Sequence, residues 1–201
     1  ILDSLFTVVF LFDDLPERTN RFYRSGWREM KEELNRYRAQ YSDDPEWEEW
    51  LTGFAELVSG FKAEVGISGE EERNFRSIKW FPNPGKMIRD VDLSQDRRQF
   101  LEFLNDWFYR ELSADSHLAW PGLARRGISV LEDDRDKLEK MRSDAAMLSS
   151  ILLTALISEV QVEIRWPDTL PRVQYVWTIL LSAWSITRDL YEQRYSQLVS
   201  I

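Results

Sequence analysis

The 201-residue chain contains no cysteine and only one histidine, His117. The first absence removes disulfides, thiolate nucleophiles and cysteine-based zinc sites, and it suits a reducing compartment, so a cytoplasmic location is expected. The second removes any metal centre built from several histidines of one chain, and no metal or other cofactor is implied. Positive charge is also in short supply: 26 Lys and Arg stand against 35 Asp and Glu, a formal net charge of −9. A general attraction to nucleic acid or to an anionic membrane is therefore not expected, although a local basic site is compatible with that balance. The acidic excess lies early, in SDDPEWEEW (42–50) and GEEE (69–72), while the part beyond His117 is nearly balanced. Glycine-rich phosphate loops are missing too. NPGK (83–86) has neither the preceding glycine nor the following Ser or Thr of a P-loop, and there is no Gly-x-Ser-x-Gly elbow.

Long hydrophobic runs are scarce. The opening ILDSLFTVVFLF carries Asp3 and falls short of the ~20 apolar residues that span a bilayer. It also lacks the basic leader and small-residue cleavage site of a signal peptide. It reads as a helix whose beginning lies upstream of Ile1, so a truncated N-terminus is expected. Ala145–Ile157 and Val173–Thr187 are apolar for fewer than ~18 residues and are flanked by charge, which predicts buried central helices and no membrane partner. Neither a repeat nor an alternating strand pattern appears.

What is present is helical periodicity. With 43% hydrophobic and 13% aromatic residues the chain can bury one substantial core, so a single domain over 1–201 is expected. Residues 16–41 begin with Pro16 in a first-turn position and place Phe22, Trp27, Met30, Leu34 and Tyr37 at a near-helical period. Residues 42–67 offer Asp43 or Asp44 as N-cap, Pro45 next, acids in the first turn and Gly66 as terminator. From Ser68 to Leu93 the pattern breaks, with two prolines and a glycine in WFPNPGK (80–86), and an internal loop with a short helix at either end is expected. A fourth strong helix starts at the N-cap Ser94 and stops before Pro121 and Gly122. Residues 132–166 and 169–201 supply two long closing helices. The expected architecture is an all-α, single-domain bundle of five or six main helices, with a C-terminal antiparallel helical hairpin.

Nine tryptophans raise the question of base-stacking platforms. Trp27, Trp47, Trp50, Trp107, Trp177 and Trp184 fall at helical spacing among apolar residues and are assigned to the core, whereas Trp80, Trp120 and Trp166 sit beside prolines at element ends. Glu159 and Glu163, four apart on one helix, lack the Glu-x-x-His partners of a carboxylate metal site and read as a solvated or ion-paired face.

The chemistry-bearing stretch is FYRELSADSHLAW, residues 108–120. A seven-residue step along an α-helix returns to within ~20° of the same face, ~10 Å further on, so Arg110 and His117 point the same way. Gln99, Phe103, Asp106 and Ser113 share that face beside an apolar sector of Phe100, Leu101, Leu104, Trp107, Phe108 and Leu118. Arginine supplies a permanent planar cation suited to phosphate oxygens, and histidine a group that titrates near neutral pH. Together they suit RNA cleavage without metal, with a symmetric dimer supplying a second histidine. Arg125 and Arg126 form a short basic spot near His117 in sequence that could hold phosphate. The alternative for the same residues is structural: Arg110 pairs with Asp106 one turn earlier, and His117 favours a helix C-terminus.

Arg110 and His117, with six residues between them in YRELSADSH, resemble the Arg-x(4–6)-His motif of the HEPN superfamily. The resemblance implies an all-α metal-independent endoribonuclease of the kind found in toxin and antiphage systems, with a composite site across a homodimer. It makes Arg110 the phosphate-contacting cation and His117 the catalytic imidazole, with Ser113, Arg125 and Arg126 as substrate-binding candidates. More broadly, RTNRFYRSGWREM (18–30) and the Leu-Ser-x-x-x-His element (112–117) resemble an uncharacterised bacterial all-helical family that brings no established activity. The competing expectation is a non-catalytic helical domain whose acidic surface binds a protein partner.

Overall fold

In a computed structural model the described residues are 1–109 and 135–196, and among them every regular element is helical and none is a strand. Six helices reach ten residues or more: α1 (Leu2–Asp13), α2 (Leu15–Tyr41), α3 (Glu48–Val65), α6 (Gln95–Leu104), α7 (Arg135–Ile164) and α8 (Leu170–Ala183). Three are short: α4 (Gly69–Arg73), α5 (Pro84–Ile88) and α9 (Ser185–Leu190). The fold is all-α. Its contacts gather into two compact units, Asp14–Asn83 and Ile1–Asp13 with Pro84–Ile201. Segment 68–93, anticipated as a loop with a short helix at either end, contains α4 and α5, and it is where the chain leaves the first of these units for the second.

In the Asp14–Asn83 unit, local signals set the helix ends. The Asp14 carboxylate accepts the backbone N–H of Glu17 at 3.4 Å, and a proline occupies the first turn of α2. Asp44 caps a 3₁₀ turn at Pro45–Trp47 that leads into α3. Gly66, at φ +71°, ends α3 in the left-handed conformation that a Cβ would disfavour. Trp27, Leu34, Leu51, Val58, Ile67 and Ile78 form the core, and the indole N–H of Trp27 donates to the Val58 carbonyl at 3.1 Å, so the largest buried ring leaves no unpaired donor. Helix α4 is tied down by charge: Lys31 and Lys62 reach Glu72 at 3.2 and 2.7 Å, and Arg24 pairs with Glu71.

In the other unit α1 is the most enclosed helix, with Leu5, Phe6, Val9 and Phe10 fully buried, and it packs against α5, α6 and α7. This explains why the opening run is apolar on more than one face. α7 and α8 pack on each other across the turn at 165–169, where the Trp177 indole donates to Ser158 Oγ at 2.9 Å. The closing helix is not continuous as expected. It breaks at Trp184, whose extended backbone (φ −143°, ψ 130°) ends α8 and whose carbonyl accepts the N–H of Thr187 as α9 begins. No proline or glycine marks the break, and Trp184 is 36% exposed rather than core. Trp50, at 45%, is likewise exposed, because its ring lies across Tyr37, Trp47 and Phe54 at the rim instead of beneath them.

α7 alone among the described helices is long and apolar enough to cross a membrane, with a mean hydropathy of 1.7 over its most apolar 18-residue window. The shorter span anticipated for 145–157 extends because Val160 and Val162 continue the apolar run past Ile157, with Glu159 the one charge on the way to Val162. In the same helix Ser158, Glu159 and Gln161 are buried.

Candidate functional site

Helix α6 leads to the stretch singled out by sequence. Ser94 is its N-cap residue, as expected, but the hydroxyl turns to the Asp13 carboxylate, which also accepts the Ser94 backbone N–H at 3.3 Å. Phe100, Leu101, Leu104 and Phe108 are buried, so the apolar sector is real where it is described. Gln99 and Asp106 are exposed and Phe103 is half-buried. The register of the stripe is different, however. The chain leaves α geometry after Leu104 and runs through a π turn at Asn105–Tyr109. A π turn inserts extra residues per revolution, so Asp106 does not follow the three/four alternation that joined it to Gln99 and Phe103. Arg110, Ser113, His117, Arg125 and Arg126 all lie in 110–134, outside the described residues, as do Trp120 and the proposed Arg110–Asp106 pairing.

Of the polar centre among the described residues, the sequence marks only the carboxylates Glu159 and Glu163, not the arginines and tyrosine that meet them. Glu159 on α7 is fully buried. Its carboxylate accepts Arg194 Nε at 2.6 Å and Nη2 at 3.1 Å, together with the Tyr195 hydroxyl at 3.0 Å. Arg194 Nη1 continues to Asp96 on α6 at 2.6 Å, and its guanidinium lies 5.2 Å from the centre of the Phe100 ring. A second π turn, Tyr191–Tyr195, delivers the two consecutive side chains Arg194 and Tyr195 to one carboxylate. One turn along α7, Glu163 accepts Arg97 Nη2 at 2.5 Å, and Arg97 also donates to the Val9 carbonyl at 3.1 Å and faces Asp13 at 3.6 Å. Glu159 and Glu163 thus form the ion-paired face expected of them, with arginines 35 and 66 residues away.

The electrostatics follow from burial and these contacts. Burial alone would lower the Arg194 pKa, but the hydrogen bond and charge of Glu159, then of Asp96, outweigh it and leave the guanidinium raised. Tyr195 is pushed well above the ordinary tyrosine value by burial first, then by the negative charge of Glu159 and the hydrogen bond to it. A carboxylate with three donors and no exposure cannot take a proton from a substrate, so this cluster clamps α6, α7 and the C-terminal π turn together. Among the described residues no group of three or more His, Cys, Asp or Glu is arranged to hold a metal ion.

Comparison with known proteins finds no matching family model, no matching curated protein and no matching solved structure.

Proposed function

We propose that the chain is a HEPN-like, metal-independent endoribonuclease of a bacterial toxin or antiphage system. It would act in the cytoplasm as a homodimer, with Arg110 and His117 as the working pair. The observation that carries the reading is the approach to Arg110. A helix clamped by three buried apolar side chains leads into a π turn, itself held by the buried Phe108, whose last residue, Tyr109, immediately precedes it. π turns recur at functional sites because they re-aim the side chains that follow. The all-α architecture is also what the sequence resemblance implies.

In this mechanism His117 takes the proton of a ribose 2′-hydroxyl, and the resulting alkoxide attacks the adjacent phosphorus. The P–O5′ bond breaks, leaving a 2′,3′-cyclic phosphate, and the partner's His117 returns a proton to the departing 5′-oxygen. Arg110 neutralises the charge that accumulates on the phosphorane oxygens, with Ser113, Arg125 and Arg126 holding neighbouring phosphates. Incubation of the purified chain with RNA in excess chelator, followed by end-group analysis, tests the reading. Cyclic phosphate ends that disappear with His117→Ala support it, and absence of cleavage returns the chain to the class of non-catalytic interaction domains.

A further inference from the structure

α3 carries a row of exposed residues, of which Trp50 also rests on the rings of Tyr37, Trp47 and Phe54 in its own unit. Trp50, Gly53, Leu57, Gly60 and Glu64 follow one another at alternating three- and four-residue steps and are all exposed, Leu57 at 58%. A β-carbon added at Gly53 or Gly60 would meet nothing within 4 Å. Neither glycine is therefore demanded by contacts inside the unit, although each weakens a helix interior relative to alanine. Glycines on a helix face permit another backbone to come close.

The surface beside this row is hollowed. One open depression of about 320 Å³ is lined by Met30, Leu57, Gly60, Phe61 and Glu64. A second, of about 340 Å³, is lined by Asn20, Tyr23, Phe61, Glu64 and Val65. Phe61 and Glu64 line both, so the two depressions adjoin along the α2–α3 seam, the first of them mainly apolar. From Trp50 to Glu64 the row covers ~21 Å of helix, about the reach of a facing helix of four turns.

Charge selects the occupant. Glu49 and Glu56 stand one position before Trp50 and Leu57, where residues flanking a helix–helix seam set partner choice. Neither they nor Glu64 has an ion-pair partner among the described residues, and the one lysine of α3, Lys62, is engaged by Glu72 at 2.7 Å. A second copy of the chain would set these carboxylates against their own kind. A basic helix would neutralise them.

We propose that this surface binds an amphipathic helix of a partner protein, with aliphatic residues at three- and four-residue steps and Lys or Arg along the flanks. The inference goes beyond the nuclease reading and stands or falls apart from Arg110 and His117.

The test uses the full chain and two labelled synthetic helices of ~21 residues, both with Leu at the seam positions, one with Lys and one with Glu at the flanks. Fluorescence anisotropy should show the Lys helix binding at least ~10-fold more tightly than the Glu helix. Gly60→Phe, which has open space to enter, should weaken it by ~10-fold or more with unchanged helix content by circular dichroism. The double change Glu56→Lys with Glu64→Lys should reverse the preference between the two helices. Four results would overturn the proposal: no binding of the Lys helix up to ~100 μM, equal binding of both helices, indifference to Gly60→Phe, or a dimer of the free chain that Gly60→Phe dissociates.

Discussion

Glu159, fully buried on α7, holds Arg194 through two hydrogen bonds of 2.6 and 3.1 Å, joining α7 to the π turn at 191–195, 35 residues further along. The pair is rigid because both partners are almost wholly removed from water, the arginine side chain being only 11% exposed. Removing one member strands the other. Arg194→Met should destabilise the fold by ~3–5 kcal/mol, the cost of leaving a buried carboxylate unpaired. The triple change Glu159→Leu, Arg194→Met, Tyr195→Phe should cost much less, since it removes the whole polar set at once. Urea denaturation of the two variants distinguishes them, and equal losses would show that shape rather than charge sets the cost.

Glycines on α3 and at its end should respond in opposite directions. Gly53→Ala and Gly60→Ala add a β-carbon into open space in a helix interior, so each should stabilise by ~0.5–1 kcal/mol. Gly66→Ala should instead cost ~1–2 kcal/mol, because residue 66 sits at φ +71°. Thermal melts of the three single variants check the sign at each position.

Acid should loosen the α4 clip. Glu71 is held below the usual glutamate range by the Ser68 backbone N–H, the Ser68 hydroxyl and then Arg24, and Glu72 by hydrogen bonds from Lys62 and Lys31. Their folded pKa values are depressed, so the unfolded chain binds more protons as the pH falls through ~4.3. The stability they contribute is complete above that value and lost as the pH drops through the lower folded values. About a third of each side chain is exposed, so the loss is small. Glu72→Gln should flatten the fall in melting temperature between about pH 5 and pH 3. A parallel shift of the whole curve would contradict the assignment.

Much of this fold was legible in the sequence because its signals are local. Pro16, Pro45 and Gly66 mark helix ends through the backbone they require, and the spacing of Trp27 and Leu34 shows which side is buried. The break at Trp184 and the π turns at 105–109 and 191–195 carried no such mark. Tertiary contacts, the Arg194–Glu159 pair among them, accompany them, and no propensity encodes a contact 35 residues away. For the same reason Glu159 could be read as ion-paired without its partner being named. At the candidate nuclease pair, spacing supplied Arg110 and His117, but the π turn shows that a face extrapolated from Gln99 loses its register before Arg110 is reached.

Whether Arg110 and His117 cleave RNA is decided by the rate of the purified chain in excess EDTA, compared among wild type, Arg110→Ala, His117→Ala and Asp106→Ala. The account predicts cyclic phosphate ends from the wild type and a loss of at least ~100-fold in rate for Arg110→Ala and His117→Ala, with melting temperatures little changed and Asp106→Ala retaining more activity than either. Equal losses from all three variants, or cleavage that EDTA abolishes and a divalent ion restores, would contradict it.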